Sequence, residues 1–248
     1  MKVVYQLWLR EIRRYARSRM SLFGSLAQPV LYLLALGIGL GPVYRESGRG
    51  NYLDYIVPGI VALTVLSSAI HAGATVMWDR RFGFLRQALI SPAPRLGLHF
   101  GRVLGAASVA CIHGSLMAAI CVAAGFPFPA ISQVLMACGF LVLVSYVFAS
   151  LGVVIGLALY EIESFNVAMS VIVPPLFFLS GALFPPENLP SSMAFLIGIN
   201  PLSYGVDGLR AALSGRSHFG AGLDVTVLAT LAGCLTLTGA WQFSRAQA

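Results

Sequence analysis

The sequence predicts an all-α integral membrane protein with six transmembrane helices, an N-terminal amphipathic helix at the membrane interface, and short re-entrant helices between the fifth and sixth spans. Of the 248 residues, 58% are hydrophobic and only 10% are charged, whereas a soluble domain carries about 25% charged residues. The apolar residues form long runs, and a helix needs ~20 of them to cross a bilayer core. The nine carboxylates fall at the ends of these runs or between them.

The first element, residues 1–20, is predicted to be a helix with two different faces. One face carries Val4, Trp8, Ile12 and Tyr15. The other carries Arg10, Arg13, Arg14 and Arg17. A helix divided in this way lies in the plane of the membrane interface, with its aromatic side chains at the headgroup boundary.

Six apolar runs follow, and we interpret 1–248 as one transmembrane domain built on them. The predicted spans are 22–41, 55–76, 101–124, 131–159, 165–184 and 222–243. The first run follows five arginines, as in a signal peptide, but about 20 charged and amphipathic residues precede it and no convincing cleavage site follows. It is therefore read as a retained span. The pairs Gly101–Gly105 and Gly152–Gly156 let helix backbones approach closely, either within the chain or at a dimer seam.

The distribution of Lys and Arg predicts the orientation. With a cytoplasmic N-terminus, six basic residues lie in the N-terminal segment, five in the second connection and one in the C-terminal tail, against four outside. The positive-inside rule then places both termini in the cytoplasm of a multi-pass protein of the plasma (inner) membrane. This topology and anionic lipid account for the net charge of +7, so that no nucleic-acid partner is expected.

Several chemistries are excluded by residue type. The single lysine, Lys2, leaves neither a P-loop lysine nor a Schiff-base nucleophile in the spans. The four cysteines lie in apolar runs without CxxC spacing, so that neither a metal site nor a disulfide framework is indicated. We therefore expect no catalytic, metal or cofactor-binding residues. His71 and His113 fall in predicted spans, where they either hydrogen-bond to a neighbouring helix or take part in function.

The segment 177–210 is apolar but is broken by four prolines and four glycines. Proline removes a backbone hydrogen bond and clashes with the preceding turn, so that no single helix runs through it. Broken backbone at membrane depth persists only where it is buried in protein or lines a wet cavity. Residues 185–215 are therefore predicted to form short re-entrant helices on the outer side. This region contains Ser180, Gly181, Pro185, Pro186, Asn200, Pro201, Tyr204, Asp207 and Arg210.

The order of these residues resembles the C-terminal signature of the ABC-2 family of ATP-binding-cassette permeases. A second resemblance lies in the connection 77–100. It contains Asp79, Arg80, Arg81, Phe82, Gly83, Phe84, Leu85, Leu89, Ser91 and Pro92 in that order. Relatives usually have a second acidic residue in the first turn, where this chain has arginine. The resemblance covers nearly the whole chain and implies a fold of the ABC-2, or type V exporter, kind.

The resemblance also implies partners. Residues 77–100 are then a cytoplasmic coupling segment that fits a cleft in a separate ABC ATPase subunit, on which ATP and Mg²⁺ bind. Phe82, Phe84 and Leu85 are apolar anchors, and Asp79, Arg80 and Arg81 orient the contact at its rim. The alternative is a basic loop held on anionic headgroups. Trp8 and the arginines of 1–20 are then a connector helix that touches the cytoplasmic partner, rather than a simple orientation anchor.

Two pairs of charges remain to be assigned. Glu161 and Glu163 form an acidic loop in the predicted cytoplasmic connection after the fourth span, where they either pair with arginines of the connector or coupling segment or are solvated. Asp207 and Arg210 are spaced i, i+3 and can pair on one helix face, to pin the re-entrant helices or to gate exit.

We thus expect the permease subunit of an ATP-driven exporter that forms a homodimer and works with a separate ATPase. It is expected to move an amphiphilic small molecule, drug, lipid or glycan. One alternative is an ion-coupled transporter, which would require a carboxylate at the middle of the membrane. Another is an intramembrane enzyme, for which His113 with Ser115 or Cys111 is the only candidate site.

Overall fold

The computed structural model describes residues 2–17, 19–46, 52–83, 94–185 and 190–245. Every regular element in these ranges is an α-helix, which confirms the all-α prediction. In chain order the helices are α1 (Lys2–Arg17), α2 (Arg19–Glu46), α3 (Tyr52–Ile70), α4 (Ala72–Arg81), α5 (Arg95–Ala123), α6 (Ile131–Ala158), α7 (Ile162–Phe178), α8 (Ser191–Ile199), α9 (Pro201–Ser214) and α10 (Ala221–Arg245).

Four helical stretches are long and apolar enough to cross a membrane: Tyr52–Arg81, Arg95–Ala123, Ile131–Ala158 and Ala221–Arg245. The first combines α3 and α4, which are interrupted only at His71. Two shorter apolar helices, Gly24–Gly39 within α2 and Ile162–Phe178, occupy the positions of the first and fifth predicted spans.

The helix ends differ most from the predicted boundaries in two places. Helix α5 begins at Arg95, six residues before the predicted start of the third span, so that the end of the segment 77–100 is helical. Its N-cap is Pro94, whose fixed φ angle favours a helix start directly after it. Helix α7 ends at Phe178, before Gly181 adopts a φ of 70°, which a residue with a side chain rarely adopts.

The core is centred on α3, which packs against α2, α5, α6 and α9. In the most apolar part of Tyr52–Arg81, 72% of the residues are buried, against 17% in Ala221–Arg245. Helix α10 therefore covers the outside of the bundle while α3 fills its centre. Gly73 and Gly156 bring α4 and α6 into backbone contact, since a Cβ on Gly156 would lie 2.5 Å from the carbonyl oxygen of Gly73. The glycine pair on α6 therefore serves packing within the chain.

Candidate functional site

Helix α1 packs lengthwise along the first half of α5. A Cβ on Gly101 would lie 3.1 Å from the Cα of Val4, and one on Gly105 would lie 2.7 Å from the Cβ of Glu11. The indole nitrogen of Trp8 donates a hydrogen bond of 3.0 Å to the hydroxyl of Ser108. The glycines thus form a groove that admits α1, and the apolar face of α1 lies against α5 instead of standing free at the headgroup boundary.

At the base of this contact, Asp79 joins three helices. Its carboxylate accepts hydrogen bonds from both terminal nitrogens of Arg10 in α1, one of them 3.0 Å long. Arg102 of α5 places Nη1 2.7 Å from the same carboxylate. We call Arg10, Asp79 and Arg102 the coupling junction. Asp79 was predicted to lie at the rim of a docking surface, but its side chain faces inward and the residue is only 5% exposed.

The two arginines of the coupling junction are held differently. Burial lowers the pKa of Arg10, but the hydrogen bond and negative charge of Asp79 outweigh burial, so that its pKa is raised. Arg102 is only 4% exposed. Its contact with Asp79 is an ion pair without hydrogen-bond alignment, because neither terminal nitrogen has an aligned acceptor among the described residues. Arg102 therefore depends on Asp79 for charge compensation.

A second pair of charges lies beside the coupling junction. Glu11 is buried in the contact between α1 and α5, and it pairs with Arg14 one turn later at 2.9 Å. Of the connector residues predicted from sequence, Trp8, Arg10 and Arg14 thus have defined partners. Arg13 and Arg17 are exposed on the other side of α1.

Arg80 connects α4 to the end of α6. Its guanidinium donates hydrogen bonds to the carbonyl oxygens of Leu157 (2.9 Å) and Leu159 (2.8 Å), and it lies 5.1 Å from the ring centre of Tyr160. A cation at a helix C-terminus satisfies free carbonyl groups and the negative end of the helix dipole. Arg80 thus ties the end of α4 to the connection after α6 instead of standing at a rim.

An aromatic surface is exposed next to the coupling junction and Arg80. Trp78 and Phe82 stack with ring centres 5.6 Å apart, and Arg81 lies 6.0 Å from the Trp78 ring. Phe82 is 76% exposed and Tyr160 is 86% exposed. We call Trp78, Phe82 and Tyr160 the aromatic surface. Gly83 ends this part of the chain with a φ of 75°.

Phe82 was predicted from the sequence, but the other two members of the aromatic surface were not. Trp78 lies four residues before Phe82, a spacing at which helical side chains meet. Tyr160 lies in the same connection as the acidic loop, where only the charges were considered. Phe84 and Leu85, the other predicted anchors, lie outside the described residues. Glu161 and Glu163 are exposed, and among the described residues neither forms the ion pair with an arginine that was hypothesised.

At the opposite end of the bundle, Asp207 and Arg210 do not pair with each other. Arg210 donates a hydrogen bond of 2.9 Å to the carbonyl of Gly181 and lies over the ring of Tyr55 at 4.2 Å. Asp207 accepts hydrogen bonds from the backbone of His218 and Phe219 and from the Ser217 hydroxyl. The i, i+3 pairing expected from the sequence is replaced by contacts that pin two separate loops onto α9.

The other residues of the predicted exit region also hold broken backbone in place. Asn200 caps α9 by accepting from the Leu202 amide, and its side-chain amide donates to the carbonyl of Leu176 at 2.7 Å. Pro201 occupies the first turn of α9, where its missing amide hydrogen costs nothing.

Two further members, Ser180 and Tyr204, make hydrogen bonds to residues close to them in the chain. Ser180 donates to Phe177, and Tyr204 donates to Gly198, each at 2.6 Å. Pro185 is partly buried, and Pro186 lies outside the described residues.

The intramembrane histidines have different surroundings. The two ring nitrogens of His113 lie within hydrogen-bonding distance of Ser25 on α2 (2.9 Å) and Ser68 on α3 (2.6 Å). His71 is exposed at the break between α3 and α4, and contacts the carbonyl of Ser67. His113 thus links neighbouring helices. Among the described residues, no group of three His, Cys, Asp or Glu side chains could hold a metal ion.

Comparison with known proteins identifies relatives that match this chain over most of its length. Nodulation protein J of Sinorhizobium fredii (strain NBRC 101917 / NGR234) is 29% identical over 231 residues, which cover 91% of this chain and 87% of that protein. The inner membrane transport permease YadH of Escherichia coli (strain K12) is 26% identical over 214 residues, or 84% of this chain and 82% of that protein. The putative transport permease ycf38 of Cyanophora paradoxa is 25% identical over 204 residues, or 81% and 70% of the two chains.

The sequence profile described as ABC-2 type transporter matches residues 2–214, which include α1, the coupling junction, the aromatic surface and α9. This match spans more than half of the chain, and the described helices form the multi-pass bundle that a transport permease requires. The protein belongs to the ABC-2 type transporter family and is a membrane permease of an ABC transporter.

Proposed function

We propose that this chain is the membrane-spanning subunit of an ATP-driven exporter, in which a separate cytoplasmic ATPase subunit binds ATP and Mg²⁺. One observation carries the proposal: Trp78 lies on the same short helix as Asp79, Phe82 caps that helix, and the Asp79 carboxylate holds α1 and α5 together. A partner that binds Trp78 and Phe82 therefore displaces α4 and, through Asp79, also α1 and α5.

The mechanism follows from the contacts around α4. ATP binding closes two ATPase subunits, and the aromatic surface follows the subunit to which it is bound. Arg80 passes this displacement to the end of α6 through its two hydrogen bonds. The backbone contact of Gly73 with Gly156 makes α4 and α6 move together, since packed backbone does not compress. The spans then move as rigid bodies, which opens and closes the transport path.

The permease is proposed to act as a homodimer in the inner membrane, with both termini in the cytoplasm. In α7 only Phe165 and Phe177 are buried, and the exposed face includes the polar residue Asn166. A polar side chain on a lipid-exposed face is unfavourable, which supports a second copy and a transport path beside α7. The substrate is proposed to be an amphiphilic small molecule, drug, lipid or glycan.

The alternative functions find less support in the geometry. The enzyme hypothesis requires His113 to meet Ser115 or Cys111, but His113 contacts Ser25 and Ser68, and the thiol of Cys111 contacts Ser145 instead. An ion-coupled transporter requires a carboxylate at the middle of a span. Asp79, Asp207 and Asp224 instead lie in the last turn of α4, in the re-entrant region and in the first turn of α10.

Co-purification tests the proposed function. The permease is co-expressed with the ABC ATPase encoded beside it, and Trp78→Ala/Phe82→Ala is compared with wild type and with Phe128→Ala, which removes an exposed aromatic ring far from the aromatic surface. We expect the double variant to reach the membrane folded but to lose most of the bound ATPase, because buried aromatic anchors dominate interface energies. Equal recovery of ATPase with all three proteins would overturn the docking assignment.

A further inference from the structure

The imidazole of His113 connects α5 with three other helices in the interior of the bundle. His113 belongs to α5 and is only 2% exposed. Its Nε2 atom lies 2.9 Å from the hydroxyl of Ser25 on α2, and its Nδ1 atom lies 2.6 Å from the hydroxyl of Ser68 on α3. The ring of Tyr15 on α1 stands nearly perpendicular to the imidazole, with the ring centres 5.0 Å apart. We call Tyr15, Ser25, Ser68 and His113 the histidine cluster.

Both nitrogens of the imidazole are used in these contacts. A neutral imidazole has one N–H donor and one acceptor nitrogen, so that one serine accepts a hydrogen bond from the ring and the other donates one to it. A hydrogen bond is stronger where water is excluded, and a buried polar group that loses its partner retains the cost of desolvation. The orientation of the ring is therefore fixed by α2 and α3 together.

The histidine cluster lies between the coupling junction and the first two spans. About three turns of α5, or roughly 16 Å, separate His113 from Arg102 of the coupling junction. Tyr15 lies in the last turn of α1, and the hydrogen-bonded serine of α2 lies near the start of that helix. Ser68 lies just before His71, where α3 is interrupted and α4 begins. The cluster thus contacts α3 directly before the break that leads to Asp79.

The histidine cluster connects α2 to the elements that the coupling junction holds. Asp79, Arg80 and Gly73 of α4 contact α1, α5 and α6. Helix α2 packs against α3 and α5 instead. The two hydrogen bonds of His113 therefore link α2 and α3 to α5, the helix that carries Arg102 of the coupling junction.

We propose that His113 is a positioning residue of transport, which makes the start of α2 and the end of α3 follow α1 and α5 when the ATPase subunits close. The inference rests on the proposed function, since it requires an ATPase that displaces the coupling junction. His113 acts through its hydrogen bonds and does not contact the substrate. Without these bonds, α1, α4 and α5 still move with the ATPase, but α2 follows them incompletely.

Hydrogen exchange measured by mass spectrometry tests the inference without a known substrate, because exchange reports local opening of helices. The complex of the permease with the ABC ATPase encoded beside it is compared without nucleotide and with ATP and vanadate, which keep the ATPase subunits closed. In wild type we expect nucleotide to change exchange in peptides from α4 and from the start of α2. In His113→Leu the change in α4 should persist. The change in α2 should fall by about tenfold, because the two hydrogen bonds that couple the helices are lost.

Milder variants test the same contacts with less disturbance of packing. Ser25→Ala and Ser68→Ala each remove one hydrogen bond, and we expect each to reduce the response of α2 by less than His113→Leu does. His113→Gln retains a donor and an acceptor and should recover part of the response, which a purely steric role would not predict. Ser150→Ala is the control, because Ser150 is buried in α6 and its hydroxyl has no hydrogen-bond partner among the described residues.

The remaining outcomes separate this inference from the proposed function. A response of α2 that is the same in wild type, His113→Leu and the serine variants would overturn the inference and leave the docking of the ATPase intact. Loss of the response in α4 together with that in α2 would show that His113 only maintains the fold, and would overturn the inference as well. A wild-type complex in which nucleotide changes neither α4 nor α2 would contradict the proposed function itself.

Discussion

Asp79 compensates two arginines that reach it from different helices. Its neighbour Arg102 is buried and has no other described carboxylate in contact. A buried charge that loses its partner retains the full cost of desolvation, whereas an exposed pair contributes little. Asp79 therefore contributes more to the stability of the fold than the exposed charges of the same region do.

The first prediction concerns this carboxylate. Asp79→Asn keeps the shape of the side chain but removes its charge, and we expect a loss of about 3–5 kcal/mol because Arg102 is then buried without compensation. The measurement is thermal unfolding of the purified permease in detergent. Glu163→Gln is the matched control, since Glu163 is exposed and forms no ion pair with a described residue. If both variants unfold at the same temperature, the coupling junction does not hold α1 and α5 in place.

At the scale of single residues, the sequence indicated which side chains matter but not what they contact. The spacing of Asp207 and Arg210 permits an ion pair. Arg210 instead hydrogen-bonds to the loop that contains Gly181, and Asp207 to the loop that contains His218. Asp79 belongs to a motif of the family resemblance, but it was predicted to lie at the surface. In each case the deciding partner lies outside the helix that carries the residue, and only the packed structure shows it.

At the scale of elements, the contact between α1 and α5 depends on small residues. A Cβ at Gly105 would lie 2.7 Å from the Cβ of Glu11, and real side chains do not approach so closely. Gly105 therefore determines how near α1 lies to the bundle.

A substitution at this position should release α1. We expect Gly105→Ala to cost about 1–3 kcal/mol through overpacking and to displace α1 from α5. Limited trypsin digestion measures this, because α1 contains arginines that become more accessible, and we expect cleavage in α1 to rise roughly tenfold. Gly233→Ala is the control, since a Cβ at Gly233 has no atom within 4 Å. Unchanged cleavage in Gly105→Ala would show that the groove tolerates a side chain.

The positions of the helices could be predicted from the sequence, because each apolar run of sufficient length must cross the bilayer as a helix. The exact ends could not, since they depend on local backbone such as Pro94 before α5 and the left-handed Gly181 after α7. The orientation of the amphipathic helix could not be predicted from the sequence either. Its pattern shows that one face is apolar, but not whether lipid or another helix covers that face.

At the scale of the whole molecule, the bundle leaves different surfaces uncovered. Helix α10 exposes apolar residues such as Leu237, and its exposed Thr226 and Thr230 donate their hydroxyl groups to carbonyl oxygens of the same helix. Helix α7 exposes Val167 and Val171 together with the amide side chain of Asn166. This difference supports the proposal of a second copy and a path beside α7.

Disulfide cross-linking tests the dimer. In a variant without the four native cysteines, Val171→Cys should form covalent dimers on mild oxidation in membranes, because the residue is exposed on the proposed dimer face. Leu237→Cys is equally exposed and should remain monomeric. Dimers from Leu237→Cys alone would move the interface to α10.

The lengthwise contact of α1 with α5 also has a consequence for synthesis. Trp8 meets a residue 100 positions later in the chain, and Arg10 meets one 69 positions later. At about 5–20 residues per second, the ribosome needs roughly 5–20 s to make the missing partner of Trp8. During this interval α1 lacks the helix on which it packs, so that it joins the bundle only after α5 has been made. Helix α1 is thus made well before it can reach its final position, since α2, α3 and α4 lie between it and its partner in the chain.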